Sequence, residues 1–350
     1  MTARSVLPPP LRPFVVHPQE FPVSARFRGL TTAAALLTAT FAAVGLAGCG
    51  TSQPAAATVD LSTVTVRVAD QVKSTRSLVE ASKALDGAPY HVEWSDFQAA
   101  APQLEALRAD AADVAGAGGS PTLNAIAAGA PLKAVAALQS AGKALAIVVP
   151  KDSPIKTLAD LKGKNISPTT KGSVGHWLVL EALKKAGIAE SEVTLSYLLP
   201  SDAQAAFTSG RIDAWAVWDP FVALTEAAGA RILVDSTGLA EGYGVVVTTN
   251  SALADPGRRA AVADFVGRLK KAYEWRVANP VEAVALYSTL TKLPQPISQA
   301  VYDRGPSAVV PITDAVVSNW QGVADLFASE GVYPRTIDAA ASVDRTVVGF

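Results

Sequence analysis

Two short segments, Gly119-Ser120 and Gly172-Ser173-Val174, each place a glycine and a serine at the predicted start of a helix. The free backbone N–H groups at a helix N-terminus carry partial positive charge and bind small anions. Glycine lets a ligand approach the backbone closely, and the serine hydroxyl adds a donor. The pair of segments therefore predicts a site for a small anion. The alternative is that both serines only cap their helices.

Other kinds of chemistry have few candidate residues in this chain. The only cysteine is Cys49, and the three histidines lie far apart without zinc-ligand spacing. No nucleophile elbow and no phosphate-binding glycine loop occurs in the sequence. The 30 basic and 31 acidic residues give a net charge of −1, which offers no electrostatic basis for nucleic-acid binding. We predict a binding protein with no metal site and no cofactor.

Residues 1–49 have the features of an export signal. Arg26 and Arg28 precede an uncharged, apolar stretch over 29–48, which ends in small residues before Cys49. The order Leu-Ala-Gly-Cys resembles the bacterial lipobox, which implies cleavage before Cys49 and lipidation of its thiol. Residues 50–61 are small and polar and predict a flexible tether. The alternative is an uncleaved helix that spans the membrane.

From residue 62 onward, predicted strands and helices alternate. This order predicts an α/β fold with mainly parallel sheets covered by helices on both faces. Two such runs are joined by apolar strands near residues 146 and 246, so the chain is expected to cross between two lobes near Pro150 and near Asn250. Lobe I would contain 62–148 and 247–350, and lobe II would contain 149–246. The cleft between the lobes is the natural ligand site.

Four segments, taken in order, resemble motifs of substrate-binding proteins of ABC transporters, in the branch that binds aliphatic sulfonates, nitrate or taurine. The segments are Val148–Lys164, Gly172–Trp177 (GSVGHW), Asp213–Pro220 (DAWAVWDP) and Val310–Asp314 (VPITD). The resemblance covers about residues 62–335. It implies a type II periplasmic-binding fold with two lobes on two hinge strands, and delivery of a small organic sulfonate to a membrane permease and its ATPase.

The resemblance also implies a set of cleft residues. The residues expected to bind ligand are Gln71, Ser74, Gly119, Ser120, Ser173, Val174, His176, Trp218 and Tyr243. A sulfonate is a permanently charged anion with three acceptor oxygens, which suits converging donors at helix ends. Trp218 would cover an apolar tail, although it could equally be a core residue, and His176 could equally serve packing. Asp219 is expected to cap the following helix.

Two charged residues have several possible roles. Asp70 stands where relatives often have an aromatic residue; we expect it to face solvent, although it could pair with Lys73 or Arg76 or accept an ammonium group from a taurine-like ligand. Arg304 is a further candidate for ion pairing.

An enzyme of the same fold, such as a desulfinase, is the main functional alternative. Such enzymes are understood to use a cysteine, and residues 50–350 contain none. A sensor or partner protein of this fold and a nitrate binder are further alternatives. We predict a monomeric, exported, lipid-anchored binding protein at the outer face of the membrane or in the periplasm.

Overall fold

The computed structural model describes residues 59–237, 242–305 and 308–350. The predicted signal, the lipidation site Cys49 and the tether up to residue 58 lie outside these residues. The described residues belong to one compact unit, Ala56–Phe350. Among them, no helix is both long enough and apolar enough to cross a bilayer.

Eleven strands in the described residues form two sheets. They are β1 (Thr65–Gln71), β2 (His91–Phe97), β3 (Val114–Gly118), β4 (Leu132–Ser140), β5 (Leu145–Val149), β6 (Asn165–Ser167), β7 (Thr194–Leu195), β8 (Ala214–Trp218), β9 (Arg231–Asp235), β10 (Gly242–Thr249) and β11 (Ala308–Val310). The first sheet has the order β11-β4-β10-β3-β1-β2, and the second has the order β7-β6-β8-β5-β9.

Each sheet has a parallel half and an antiparallel half. In the first sheet, β2, β1 and β3 run parallel, whereas β10 pairs antiparallel with β3 and β4, and β11 pairs antiparallel with β4. In the second sheet, β7, β6 and β8 are parallel, and β5 runs antiparallel to β8 and β9. The α/β prediction is confirmed, but the sheets are mixed rather than mainly parallel.

The chain crosses between the sheets earlier than the sequence indicates. Strand β5 belongs to the second sheet and β10 belongs to the first. The crossings therefore fall between residues 140 and 145 and between 235 and 242, not near Pro150 and Asn250. Both strands are apolar and buried on both faces, so their residue pattern fits the centre of either sheet and does not show which one they join.

Eleven α-helices in the described residues cover the sheets. They are α1 (Ser74–Ala81), α2 (Ala100–Arg108), α3 (Gly119–Ala127), α4 (Val174–Ala186), α5 (Pro200–Thr208), α6 (Phe221–Ala227), α7 (Asn250–Ala254), α8 (Pro256–Ala278), α9 (Pro280–Thr291), α10 (Gln295–Asp303) and α11 (Asp314–Ser329). The two helices predicted to start at Gly119-Ser120 and at Gly172-Ser173-Val174 are α3 and α4.

Helices near the C-terminus connect the two halves of the fold. Helix α8 packs its buried side chains Val262, Phe265, Val266 and Leu269 against Val66, Val68 and Val246 of the first sheet. Helix α9 contacts α1, whereas α10 contacts α6 beside the second sheet. Together α9 and α10 form an arm, here called the α9–α10 arm, that reaches from one sheet to the other.

Candidate functional site

A cavity of about 390 Å³ lies between the two sheets. Of the nine predicted ligand-binding residues, seven line it: Gln71, Ser74, Gly119, Ser120, Val174, Trp218 and Tyr243. They come from the ends of β1 and β8, from the start of β10 and from the starts of α1, α3 and α4. The sequence therefore brings most of its predicted site together in one place. Ser173 and His176 do not line this cavity.

The start of α3 supplies the clearest anion-binding geometry. Gly118 is the N-cap of this helix and provides no side-chain cap for the first N–H groups. Ser120 is buried, and its Oγ has no hydrogen-bond partner among the described residues. A Cβ at Gly119 would lie 2.9 Å from the carbonyl oxygen of Tyr243 and 3.0 Å from Nε1 of Trp320. Position 119 therefore requires glycine for this close packing. The uncapped N–H groups of α3 and the buried hydroxyl of Ser120 lie together at the cavity wall.

The cavity wall is closed where α3 meets α4. A Cβ at Gly118 would lie 2.5 Å from Cγ1 of Val174, and one at Gly172 would lie 2.6 Å from the side chain of Asn124. Gly172 also has φ = +77°, a conformation that favours glycine. These glycines allow the first-sheet and second-sheet sides of the cleft to touch.

The start of α4 is satisfied by its own side chains rather than open to a ligand. Ser173 Oγ accepts a hydrogen bond from the N–H of His176 (3.1 Å) and donates one to the carbonyl of Pro168 (2.9 Å). The capping alternative for Ser173 is therefore confirmed. The two helix starts are therefore not equivalent: Ser173 Oγ occupies the N–H of His176 at the start of α4, whereas no side chain caps the start of α3.

His176 is fully buried beneath the cavity wall. Its Nδ1 accepts a hydrogen bond from the N–H of Gly172 (3.1 Å), and its Nε2 lies 3.2 Å from the hydroxyl of Tyr197. Burial, with a smaller effect from Lys171, lowers the pKa of His176 to about 4. The ring is therefore neutral near pH 7 and fixes the Gly172 turn. The prediction that it is a cleft-lining donor is not supported by this position.

We expect His176 to make the fold sensitive to mild acid. In the unfolded chain its imidazole gains a proton near pH 6.5, but in the folded protein only near pH 4, so stability falls as the pH drops between these values. Between pH 7 and pH 5 the wild type should lose about 2 kcal/mol more than His176→Asn. Urea denaturation at both pH values measures this difference. His91→Asn, at an exposed position, should behave as the wild type; equal losses in all three proteins would contradict the expectation.

Asp70 is buried rather than exposed to solvent, which corrects the sequence expectation. Its two carboxylate oxygens accept hydrogen bonds from the N–H groups of Thr75 (3.0 Å) and Arg76 (2.8 Å). It therefore caps α1 from the end of β1, while Ser74 donates to the carbonyl of Gln71 (2.9 Å). Burial nevertheless raises the pKa of Asp70 to about 6. With both oxygens used on the backbone, the ammonium-binding alternative has no support in the geometry.

Asp219 and Arg304 form an ion pair at the cavity edge. Arg304 Nη1 lies 2.8 Å from Asp219 Oδ1, and Arg304 Nη2 also contacts Glu226. Asp219 Oδ1 accepts a hydrogen bond from the N–H of Ala223 (3.0 Å), so the predicted cap of the following helix is confirmed. Asp219 directly follows β8, Glu226 lies on α6, and Arg304 follows α10. The ion pair therefore ties the α9–α10 arm to the second-sheet side of the cleft.

The C-terminal helices contribute cavity residues that the sequence did not indicate. These residues are Tyr273, Arg276, Tyr287, Ser298, Tyr302 and Trp320. Four of these six residues are aromatic, and two, Arg276 and Ser298, are polar. With Trp177, Trp218 and Tyr243, the described cavity wall contains seven aromatic residues. The signal that could have found them is the series of tyrosines in helices otherwise rich in alanine and valine. Among residues 59–237, 242–305 and 308–350, no group of three or more His, Cys, Asp or Glu side chains could hold a metal ion.

Comparisons with known proteins agree with this architecture. Residues 96–283 match the family described as NMT1/THI5 like. The chain is 34% identical over 250 residues to a protein from Escherichia coli (strain K12) that carries the name of an aliphatic sulfonates-binding protein; the match covers 71% of this chain and 77% of that protein. A Bacillus subtilis (strain 168) protein with the same name is 32% identical over 73% of this chain and 77% of its own length.

A solved structure extends the comparison to the fold. The alkanesulfonate-binding protein SsuA from Xanthomonas axonopodis pv. citri, bound to MOPS, superposes with a TM-score of 0.75 at 32% identity. The match covers 80% of this chain and 98% of that chain. The two-sheet fold is therefore the periplasmic-binding-protein fold, as the sequence motifs implied.

Proposed function

This chain belongs to the NMT1/THI5-like family, and from that premise we propose that it binds an organic sulfonate for an ABC importer. The protein captures the anion in the cavity between its two sheets and delivers it to a membrane permease with its ATPase. It performs no chemical reaction on the ligand. Relatives at 32% and 34% identity that are named for aliphatic sulfonate binding support the ligand class.

The observation that carries this proposal is the start of α3. A sulfonate presents three acceptor oxygens and no donor, so it needs only hydrogen-bond donors around it. The uncapped N–H groups of α3 and the unpartnered Oγ of Ser120 supply such donors without a full opposing charge. Gln71, the last residue of β1, is the further donor that we propose for this end, and Ser74, whose hydroxyl donates to the carbonyl of Gln71, lines the same wall.

The rest of the cavity suits the tail of the ligand. Val174, Trp218 and Tyr243 are proposed to cover the tail, and the aromatic residues of the C-terminal helices enlarge this apolar surface. A volume of about 390 Å³ is in the range of sites for extended ligands and far exceeds what nitrate needs. MOPS, the sulfonate in the related SsuA structure, is a ligand of this extended kind.

Calorimetric titration of the purified protein tests the proposal. Ethanesulfonate, MOPS, taurine and nitrate are titrated separately, and the reaction mixtures are then analysed for sulfite. We expect dissociation constants in the micromolar range or below for at least one sulfonate, no heat of binding with nitrate, and no sulfite. Tight nitrate binding without sulfonate binding would show that the ligand is an inorganic anion rather than a sulfonate. Release of sulfite would instead indicate a desulfonating enzyme.

Localisation follows from the same proposal. We infer that the chain is exported, cleaved before Cys49 and anchored through lipid on that residue as a monomer, at the outer face of the membrane. The sequence of residues 46–49 supports the anchor. Mass spectrometry of the membrane fraction should find an acylated N-terminal Cys49, and Cys49→Ala should abolish the acylated form. An unmodified Cys49 in the membrane-bound protein would contradict it.

A further inference from the structure

Among the described residues that line the cavity, two are Asp, Glu, Lys, Arg or His: Asp219 and Arg276. Asp219 is paired with Arg304 at 2.8 Å, and Arg304 also contacts Glu226, which does not line the cavity. Arg276 has no carboxylate within ion-pair distance among residues 59–237, 242–305 and 308–350. Arg276 is therefore the one charged side chain of the described cavity wall that has no ion-pair partner among the described residues.

The contacts of Arg276 hold its side chain in place without neutralising it. Nη1 donates to the carbonyl of Gly305 (3.0 Å) and Nη2 to the carbonyl of Tyr302 (3.2 Å), and the guanidinium lies 4.4 Å from the ring centre of Tyr302. Tyr302 lies in the last turn of α10 and Gly305 just after it, and the C-terminal dipole of this helix offsets about half a charge at most. Burial lowers the pKa of Arg276, and the nearby ionisable groups that act on it are Tyr273 and Tyr302 rather than acids.

Arg276 and the start of α3 lie at the same edge of the first sheet but not at the same point. Gly118, Gly244, Leu138 and Val309 are level with one another on β3, β10, β4 and β11. The start of α3 follows β3, whereas Gly305, the partner of Arg276, precedes β11. Gly305 also lies beside Ala141, the residue that follows β4. Two strand spacings separate β4 from β3, which is about 10 Å. An extended ligand with an acidic group at each end can contact both points.

We propose that Arg276 is a second anion-recognition point, and that the preferred ligands are sulfonates with a carboxylate or another acidic group at the far end of the tail. This inference rests on the proposed function, because it places the sulfonate at the start of α3. The second acidic group accepts hydrogen bonds from the guanidinium of Arg276. A guanidinium has five N–H donors, and two of them donate to the carbonyls of Gly305 and Tyr302. The aromatic residues between the two points contact the apolar middle of the ligand.

A ligand series tests this proposal without altering the protein. A series of ω-sulfoalkanoates of increasing chain length is titrated by calorimetry beside the alkanesulfonate and the ω-sulfoalkanamide of each length. At the best length, the wild type should bind the acid at least about 10-fold more tightly than the amide, as expected for a hydrogen bond to a charged group. Equal affinity at every length would overturn the proposal.

Variants then assign the effect to one side chain. Arg276→Met should abolish the preference for the acid and leave the affinity for the plain alkanesulfonate within about twofold, while Arg276→Lys should keep part of the preference. Arg231→Met is the matched control, because Arg231 also donates to backbone carbonyls, those of Ser153 and Ile155, but does not line the cavity. It should retain the full preference.

The possible failures are distinguishable. A wild type that binds no member of the three series would refute the proposed function itself. A wild type that binds alkanesulfonates with no gain from the second acid would refute only the role of Arg276. An equal loss of plain alkanesulfonate and diacid in Arg276→Met would place this arginine at the sulfonate or in the fold, and would also overturn the proposal.

Discussion

Replacing Ser120 with aspartate is expected to weaken sulfonate binding at least about 100-fold while the protein stays folded. The new carboxylate would lie in the first turn of α3, where it would use the N–H groups that the sulfonate needs and repel the anion. The loss combines a hydrogen bond to a charged group with like-charge repulsion, about 3 kcal/mol in total. Calorimetry with ethanesulfonate or MOPS measures it.

Two further variants separate charge from other effects. Ser120→Ala removes only the hydroxyl and should cost about 10-fold in affinity. Ser201→Asp places the same acid at the second residue of α5, an exposed helix start that does not line the cavity. This matched control should bind as the wild type does. Binding by Ser120→Asp within tenfold of the wild type, or an equal loss in Ser201→Asp, would mean that the anion does not bind at α3.

The sequence predicted the elements of this fold well because their patterns are local. The start of α4 was predicted from three adjacent residues, Gly172-Ser173-Val174. The assignment of β5 and β10 to their sheets was wrong because it depends on pairing partners about 70 to 100 residues away, such as Val217 with Ala146 and Val245 with Ala137. The residue pattern of an apolar strand that is buried on both faces does not indicate which strand it pairs with.

The candidate site shows the same division. Gly119 and Ser120 were found because a helix start is a local feature. Ser173 was placed among the ligand-binding residues because a side chain that caps a helix and one that binds a ligand have the same sequence signature. Asp70 was expected to face solvent, because its burial depends on how the start of α1 packs after β1. Arg276, on α8 far along the chain, could be placed in the cavity only by the packing of α8 against α10. Sequence patterns thus located the first half of the cavity, and tertiary packing was needed for the rest.

Replacing Arg304 with methionine is expected to destabilise the protein by about 3 kcal/mol at pH 8, because it leaves a buried carboxylate without its partner. The Asp219 side chain is only 4% exposed, and that of Arg304 is 16% exposed. Methionine retains most of the apolar stem, so the change removes charge and hydrogen bonds rather than volume. Urea denaturation of the ligand-free protein measures the free energy of unfolding.

The loss should depend on pH in a defined direction. Burial raises the pKa of Asp219 to about 6 even beside Arg304, above its value near 4 in an unfolded chain. In the folded protein Asp219 therefore gains a proton as the pH falls through 6, and the ion pair with Arg304 is lost. In the unfolded chain the same carboxylate gains its proton only near pH 4. Between pH 8 and pH 5 the disadvantage of Arg304→Met should shrink by more than half, because both proteins then contain a neutral Asp219.

A double variant and a surface control complete the test. Asp219→Asn combined with Arg304→Met leaves no unpaired charge at position 219 and should recover most of the stability lost at pH 8. Arg108→Met removes an exposed ion pair with Glu105 and should change stability by no more than about 0.5 kcal/mol. A double variant as unstable as Arg304→Met, or a loss that is equal at pH 8 and pH 5, would show that Arg304 stabilises the fold through Glu226 or through packing. The expected pattern would instead establish the Asp219–Arg304 pair as the contact that holds the α9–α10 arm against the second-sheet side of the cleft.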